Sequence, residues 1–320
     1  MIADTQNRVS WTTSAGQIEL LPAHGRVLQV QVGAEKAFWQ PEEYLGDWNV
    51  GGDRLWLSPE ADWFHQYEGG KATSYEVPKT LDPGTWSQRV CTKQVCEWEQ
   101  LARLKNQRQN NFLEVSLRRR ITLLPDVSHA HFTRSLAYAT DDSATILTGI
   151  PEQQIGFWSL IQVPSGGQAY VGTRGAAAGR DYFNLIPESE RSVTERYVRF
   201  EFAGKKSFKV GVSPEAATGT FLYVRPASNG DYVGIVRRFF CQPWRGYCDA
   251  PLTAEGQGDA VQVYCDDGTL GAFGEIEYHS AAFPASEAGA QFGASHLTIV
   301  GTIAAGDIGQ WLDHWNDSRL

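Results

Sequence analysis

The stretch Arg26-Val27-Leu28-Gln29-Val30-Gln31-Val32 alternates apolar and polar side chains, so an extended chain puts Leu28, Val30 and Val32 on one face. A period of two with one apolar face marks an antiparallel strand packed on a core. Gln17-Ile18-Glu19-Leu20-Leu21 comes just before it, and the two make a leading pair of strands. The same pattern returns in Phe112-Leu113-Glu114-Val115-Ser116-Leu117, in Phe157-Trp158-Ser159-Leu160-Ile161-Gln162-Val163 and in Ala260-Val261-Gln262-Val263-Tyr264. Further strands are expected at 197–203, 207–212, 220–225, 231–240 and 297–303. Thr140-Asp141-Asp142-Ser143 reads as a turn that divides 126–148 into two strands. Residues 61–90, with Trp63, His65, Tyr67, Trp86 and Arg89 among Gly, Pro and Ser, read as a long loop, and 255–259 as a polar one. Only the C-terminus has helical spacing, with Ile308, Trp311, Leu312 and Trp315 on one stripe and Asp307 placed to cap it. About eighteen short strands with hardly a helix predict an all-β, antiparallel sandwich rather than a βαβ protein. No internal repeat or linker interrupts residues 1–320, so a single domain is expected.

Composition narrows the partners. The chain has 320 residues, 42% of them hydrophobic, and a net charge of −9. That length can bury a large core without metals or disulfides. The negative balance argues against nucleic acid and anionic membranes, which call for a basic surface. No apolar run reaches the roughly 18 residues of a membrane span. Met1 to Arg8 lacks the charged-then-apolar order of a signal peptide, so a cytoplasmic location is expected. Five cysteines leave at least one thiol unpaired, and neither Cys91–Cys96 nor Cys241–Cys248 has CxxC spacing. Free thiols are the main expectation, with Cys241–Cys248 the foremost candidate for a bridge. His129 and His131 would share one strand face, but no third zinc ligand stands near them in sequence. No cofactor is expected. Eleven Trp, twelve Tyr and fifteen Phe supply flat faces of the kind that stack on sugar rings, beside their ordinary role in a β core.

Phe273-Gly274-Glu275-Ile276-Glu277-Tyr278-His279 carries the most pointed chemistry. As a strand it places Phe273, Glu275, Glu277 and His279 on one side and Ile276 and Tyr278 on the other. Neighbouring carboxylates on one face lie roughly 7 Å apart, close enough to perturb each other's protonation. An exposed strand with two solvated glutamates is the simpler reading. Upstream, the paired glycines of Asn49-Val50-Gly51-Gly52-Asp53-Arg54-Leu55-Trp56 let the backbone approach a neighbour closely just before an arginine.

Taken in order, Gly51-Gly52-Asp53-Arg54-Leu55-Trp56, Phe157-Trp158-Ser159-Leu160-Ile161-Gln162 and Phe273-Gly274-Glu275-Ile276-Glu277 resemble the galactose mutarotase-like (aldose 1-epimerase-like) β-supersandwich superfamily. Within it the resemblance is to bacterial members of unassigned function with a GGxRLW segment and a late E-x-E strand. It implies a supersandwich whose concave sheet binds a pyranose, with Glu275 or Glu277 as general base, Glu275 being preferred. It also implies Arg54 as substrate-binding arginine. The family's acid histidine precedes a Tyr-Phe-Asn-Leu stretch; before Tyr182-Phe183-Asn184-Leu185 this chain has Arg180, and another register puts Trp158 or Gln162 there. The HGG-like segment after the arginine is absent, and His65 is the nearest downstream histidine. His279 is the other proton donor on the late strand. Trp56, Trp158 and Trp244 are candidate aromatic walls, and Arg54, Arg180 and Arg238 candidate cations for a carboxylate-bearing substrate. Three functions follow as expectations for a sugar or oligosaccharide ligand. They are a mutarotase-like isomerase, a non-catalytic carbohydrate-binding protein, and a lyase or glycoside-cleaving enzyme on the same scaffold.

Overall fold

The computed structural model describes residues 8–42, 48–252 and 257–316. The N-terminal residues 1–7 and residues 255 and 256 of the polar loop at 255–259 thus lie outside the described residues. Two large antiparallel sheets carry almost all of the described strands. The first runs in space through Val9–Thr12, Gly16–Leu21, Arg26–Val32, Asp53–Ser58, Gln154–Pro164, Phe273–His279, Val261–Cys265, Phe208–Val212 and Arg180–Phe183. The second runs through Arg191–Val193, Tyr197–Glu201, Gln168–Thr173, Ala217–Pro226, Tyr232–Phe239, Gln291–Ile303, Arg134–Thr148, Asn111–Leu123, Val95–Asn106 and Ser87–Cys91. Their facing sides close over one core, to which the first contributes Leu55, Leu57, Phe157, Ile161, Val263 and Ile276 and the second Leu113, Val115, Leu117, Ile121 and Ile146. This is the alternation expected of a sheet with one face on a core.

The opening strand departs from simple alternation. An irregularity opposite Glu19 and Leu20 pairs them with Gln29 and Val27 and leaves Leu28 as the extra residue. Val27 therefore joins Val30 and Val32 in the main core, while Leu28 packs with Leu21 and Val50.

Five other expectations are corrected. Arg134–Thr148 is one strand, with no turn at 140–143. The turn-like composition there misleads because Thr140 and Asp142 are buried, Asp142 beside Arg119 at 3.7 Å, while Asp141 faces out to Ser295. Residues 61–90 hold a short helix Glu60–Trp63, the hairpin His65–Glu68 with Lys71–Tyr75, and the strand Ser87–Cys91. Cys91 and Cys96 face each other across a hairpin and are bonded, whereas Cys241 and Cys248 are free. His129 and His131 stand in the loop before Arg134–Thr148, where His129 accepts a hydrogen bond from the Trp311 indole at 3.2 Å. The C-terminal helix Ile308–His314 forms and buries Trp311 and Trp315, but the Asp307 side chain makes no capping bond.

Between the sheets lies a fully buried polar cluster centred on Asp53. Its carboxylate accepts from Arg119 at 2.8 Å, Tyr138 at 2.8 Å, Ser159 at 3.2 Å and from Arg237. Burial alone would raise the Asp53 pKa, but Arg237 and Arg119 hold it well below the usual carboxylate range. Burial pushes nearby Asp142 up to about 7 and His296 down to about 3, so the imidazole is neutral. These groups underlie the strand that carries Arg54 on its opposite face.

Candidate active site

The outward face of the first sheet is built by register. Strand Asp53–Ser58 pairs with Gln154–Pro164 so that Arg54 stands opposite Leu160 and Trp56 opposite Trp158. Strand Phe273–His279 lies on the other side, with Glu275 opposite Gln162, Glu277 opposite Leu160 and His279 opposite Trp158. Tyr264 stands beside Glu275, and Lys209 beside Tyr264. The turn into the arginine strand needs its glycines. Gly51 and Gly52 have φ of +85° and +84°, and a Cβ would meet the Trp39 and Val27 carbonyl oxygens at 2.0 and 2.4 Å.

A cavity of about 910 Å³ opens on this face, with Arg54, Trp56, Trp158, Lys209, Glu275 and Glu277 in its lining. Both glutamates are buried, contrary to the solvated-strand reading. Glu275 accepts from Arg54 at 2.6 Å. The Arg54 guanidinium also stacks over Trp56 at 4.4 Å and lies 3.7 Å from Asp82. Asp82 in turn accepts from the Trp56 indole at 2.9 Å and from buried Arg26. Arg54 is thus held from behind by an indole and by Asp82, which Arg26 fixes in turn, while its Nη1 has no hydrogen-bond partner among the described residues. Glu277 accepts from the Trp158 indole at 2.8 Å and sits 3.3 Å from the Lys209 ammonium. Lys209 donates at 3.0 Å to Glu60, which begins the short helix Glu60–Trp63.

Two glutamates one repeat apart titrate in opposite directions. Burial raises the Glu275 pKa, and the Arg54 charge only partly offsets it. Burial also opposes ionisation of Glu277, but Lys209 and His279 outweigh it and pull that carboxyl below its usual range. Burial would lower the Lys209 pKa, yet Glu277 and Glu60 drive it above the ordinary ammonium value. Glu60 is raised, chiefly by burial.

The structure brings together Arg54, Trp56, His65, Trp158, Glu275 and Glu277 around one cavity, and leaves the other candidates outside its lining. Gln162 is on the same face but donates to Asn49 at 2.9 Å and is covered by it. His279 is sealed beneath Trp158, their rings stacked at 5.4 Å. Arg180, on the edge strand, spends its guanidinium on Asp259 at 2.8 Å and on the Gln257 carbonyl. Arg238 belongs to the other sheet. Trp244 is 71% exposed and packs only its edge on Phe240. A pairwise placement explains these misses: a side chain's face is legible in sequence, but which strand lies next to it is not.

Sequence reasoning passed over Lys209, Glu60, Asp82 and Tyr75. Lys209 did leave a signal, as a lone lysine inside the otherwise apolar Phe208-Lys209-Val210-Gly211-Val212. Among the described residues, no group of three or more His, Cys, Asp and Glu is arranged to hold a metal ion. No described helix is long and apolar enough to cross a membrane.

No protein-family model matches the sequence. No curated protein matches it either. Solved structures do match in shape. A galactose mutarotase-like protein from Lactobacillus casei aligns with a TM-score of 0.54 at 9% identity, over 92% of this chain and 100% of its own. A galactose mutarotase related enzyme from Lactobacillus acidophilus gives 0.55 at 10% identity, over 93% and 98%. A proposed aldose 1-epimerase from Escherichia coli gives 0.58 at 8% identity, over 93% and 99%. At such identities the likeness speaks for architecture alone: the chain has the galactose mutarotase-like fold.

Proposed function

We propose that the protein binds a sugar in the cavity over Arg54 and acts on it as an aldose 1-epimerase-like isomerase, with Glu275 as general base. One observation carries this reading. Two buried carboxylates share the cavity floor, and each is held by a cation from a different strand. Glu275 is the better base, because burial moves its pKa upward toward the working range while Arg54 keeps it oriented. Glu277 is engaged by Trp158 and Lys209, and serves to fix the floor. Among the described residues Arg54 Nη1 and Glu277 Oε1 have no hydrogen-bond partner although buried, which leaves a donor and an acceptor for ligand hydroxyls. Half-buried Trp48 in the lining offers a face for the apolar side of the ring, while Trp56 and Trp158 are packed beneath the floor. In the reaction Glu275 takes the anomeric hydroxyl proton, the bond from the anomeric carbon to the ring oxygen breaks, and that oxygen takes a proton from a water molecule in the open cavity, which is returned when the ring recloses. The aldehyde rotates and the ring recloses as the other anomer.

A second reading, binding without turnover, is favoured by the histidines. His65 is the one in the cavity lining, burial lowers its pKa, and His279 is sealed under Trp158. A lyase reading loses support because Arg180 and Arg238 lie outside the lining. Polarimetry on freshly dissolved aldoses, paired with calorimetry, separates the first two. The isomerase reading expects accelerated anomer interconversion that Glu275→Gln abolishes while the variant keeps its circular dichroism spectrum. Sugar binding with no acceleration in the wild type leaves the binding protein. No binding to any aldose rejects both.

A further inference from the structure

The charged and apolar groups of the cavity occupy separate levels. Arg54, Lys209, Glu275 and Glu277 all rise from strands of the sheet and are buried. Tyr75, Phe183, Leu252 and Leu270 line the same cavity but are between 40% and 45% exposed. They come from a hairpin, an edge strand and two separate loops. Single exposed apolar side chains are ordinary on any protein. Four from unconnected segments converging on one opening form a rim with a common purpose. The cavity's 910 Å³ stands near the top of the roughly 300–1,000 Å³ range of pockets that enclose drug-sized ligands. That is several times the bulk of one pyranose. A single ring held by the buried charges would leave the apolar rim uncovered.

We propose that the ligand is a reducing oligosaccharide, a disaccharide at the shortest. Its reducing-end ring rests on the charged floor and the next ring packs between Tyr75 and Phe183 at the mouth. This rests on the sugar reading above and adds the size and orientation of the substrate. The orientation follows from the chemistry. Epimerisation needs a free anomeric carbon next to Glu275, so the second unit is joined through another hydroxyl and leads outward. Phe183 is placed for it, because its strand pairs it with Lys209 and its ring lies 6.4 Å from that of Tyr264. Sugar C–H faces pack on such aromatic surfaces while their hydroxyls stay hydrated at the opening.

Calorimetry with glucose, galactose, maltose, cellobiose, lactose and octyl glucoside tests the proposal, on the wild type and on Phe183→Ala. At least one disaccharide is expected to bind about tenfold more tightly than its own reducing-end monosaccharide, and Phe183→Ala to reduce that ratio to about threefold or less. Leu270→Ala, at a second exposed position on the rim, is expected to reduce it in the same direction. Monosaccharides that bind as tightly as every disaccharide overturn the inference and leave the sugar reading standing. Octyl glucoside binding more tightly than all the disaccharides assigns the rim to an aglycone and overturns it too. A ratio untouched by both substitutions rejects the stacking position. Failure of every sugar to bind removes this inference together with the reading beneath it.

Discussion

Replacing Lys209 by methionine asks whether the cavity floor is an ion cluster closed off from water. Methionine keeps the length and apolar stem and removes only the charge. In the wild type the ammonium lies 3.0 Å from Glu60 and 3.3 Å from Glu277. Each attraction is about 5 kcal/mol at an effective dielectric constant of about 20. Desolvation of the ions offsets much of this, so losing one partner of a buried cluster costs about 3–5 kcal/mol net. The sign with pH follows from the three shifts. Glu277 is depressed, so it stabilises the fold above its unfolded value and stops doing so as pH falls through its folded one. Lys209 is raised, so its contribution is complete at neutral pH and lost only in alkali. Glu60 is raised and costs stability as pH climbs through the acid range toward its folded value. Without Lys209 both carboxyls shift upward, and the penalty for K209M grows from pH 5 to pH 8. Urea titrations followed by tryptophan fluorescence at both pH values measure it. Adding Glu277→Gln to K209M should recover part of the loss at pH 8. A loss below about 1 kcal/mol at pH 8, or one equal at the two pH values, would refute the reasoning by showing that the cluster is solvated.

Two further outcomes are expected. Asp53→Asn leaves Arg119 and Arg237 buried without their shared carboxylate, and should lower unfolding stability by about 3–5 kcal/mol at neutral pH. Since the Asp53 pKa is depressed, the difference should shrink in acid as pH falls through its folded value, and urea midpoints at pH 3 and 7 would show this. Cys91→Ser opens a loop of sequence separation 5, for which chain entropy predicts a loss of about 2 kcal/mol, and dithiothreitol should lower the wild-type urea midpoint similarly.

How much of the site could be read in advance differs from residue to residue. Arg54 carried its own signal, since paired glycines ahead of an arginine have a conformational reason that survives without any fold. Glu275 and Glu277 were placed on one face by strand periodicity, and they occupy one face. Their burial was not legible, because a strand of alternating charge is ordinarily solvated and only the strands on either side close it in. Arg180 looked like a site residue beside Tyr182-Phe183-Asn184-Leu185, yet it bonds Asp259, brought next to it from far along the chain. Asp141 and Asp142 resembled a turn because composition cannot tell that one of them faces buried Arg119. Cys91 and Cys96 lacked a familiar spacing, and a two-strand hairpin is what sets them opposite each other.

The sequence by itself determined the period of the strands, the scarcity of helix, the face of the late glutamates and, through resemblance, the supersandwich architecture. Those are local properties, set by which side chains alternate and where glycine permits a turn. Tertiary structure alone decided that Lys209 stands between Glu60 and Glu277, that Arg26 and Asp82 back Arg54, and that Trp158 closes over His279. Glu60 and Lys209 are separated by 149 positions, and Arg54 and Glu275 by 221. Each such charge is stable in the interior only because a partner from another strand meets it there, and no periodicity along one chain segment encodes that meeting.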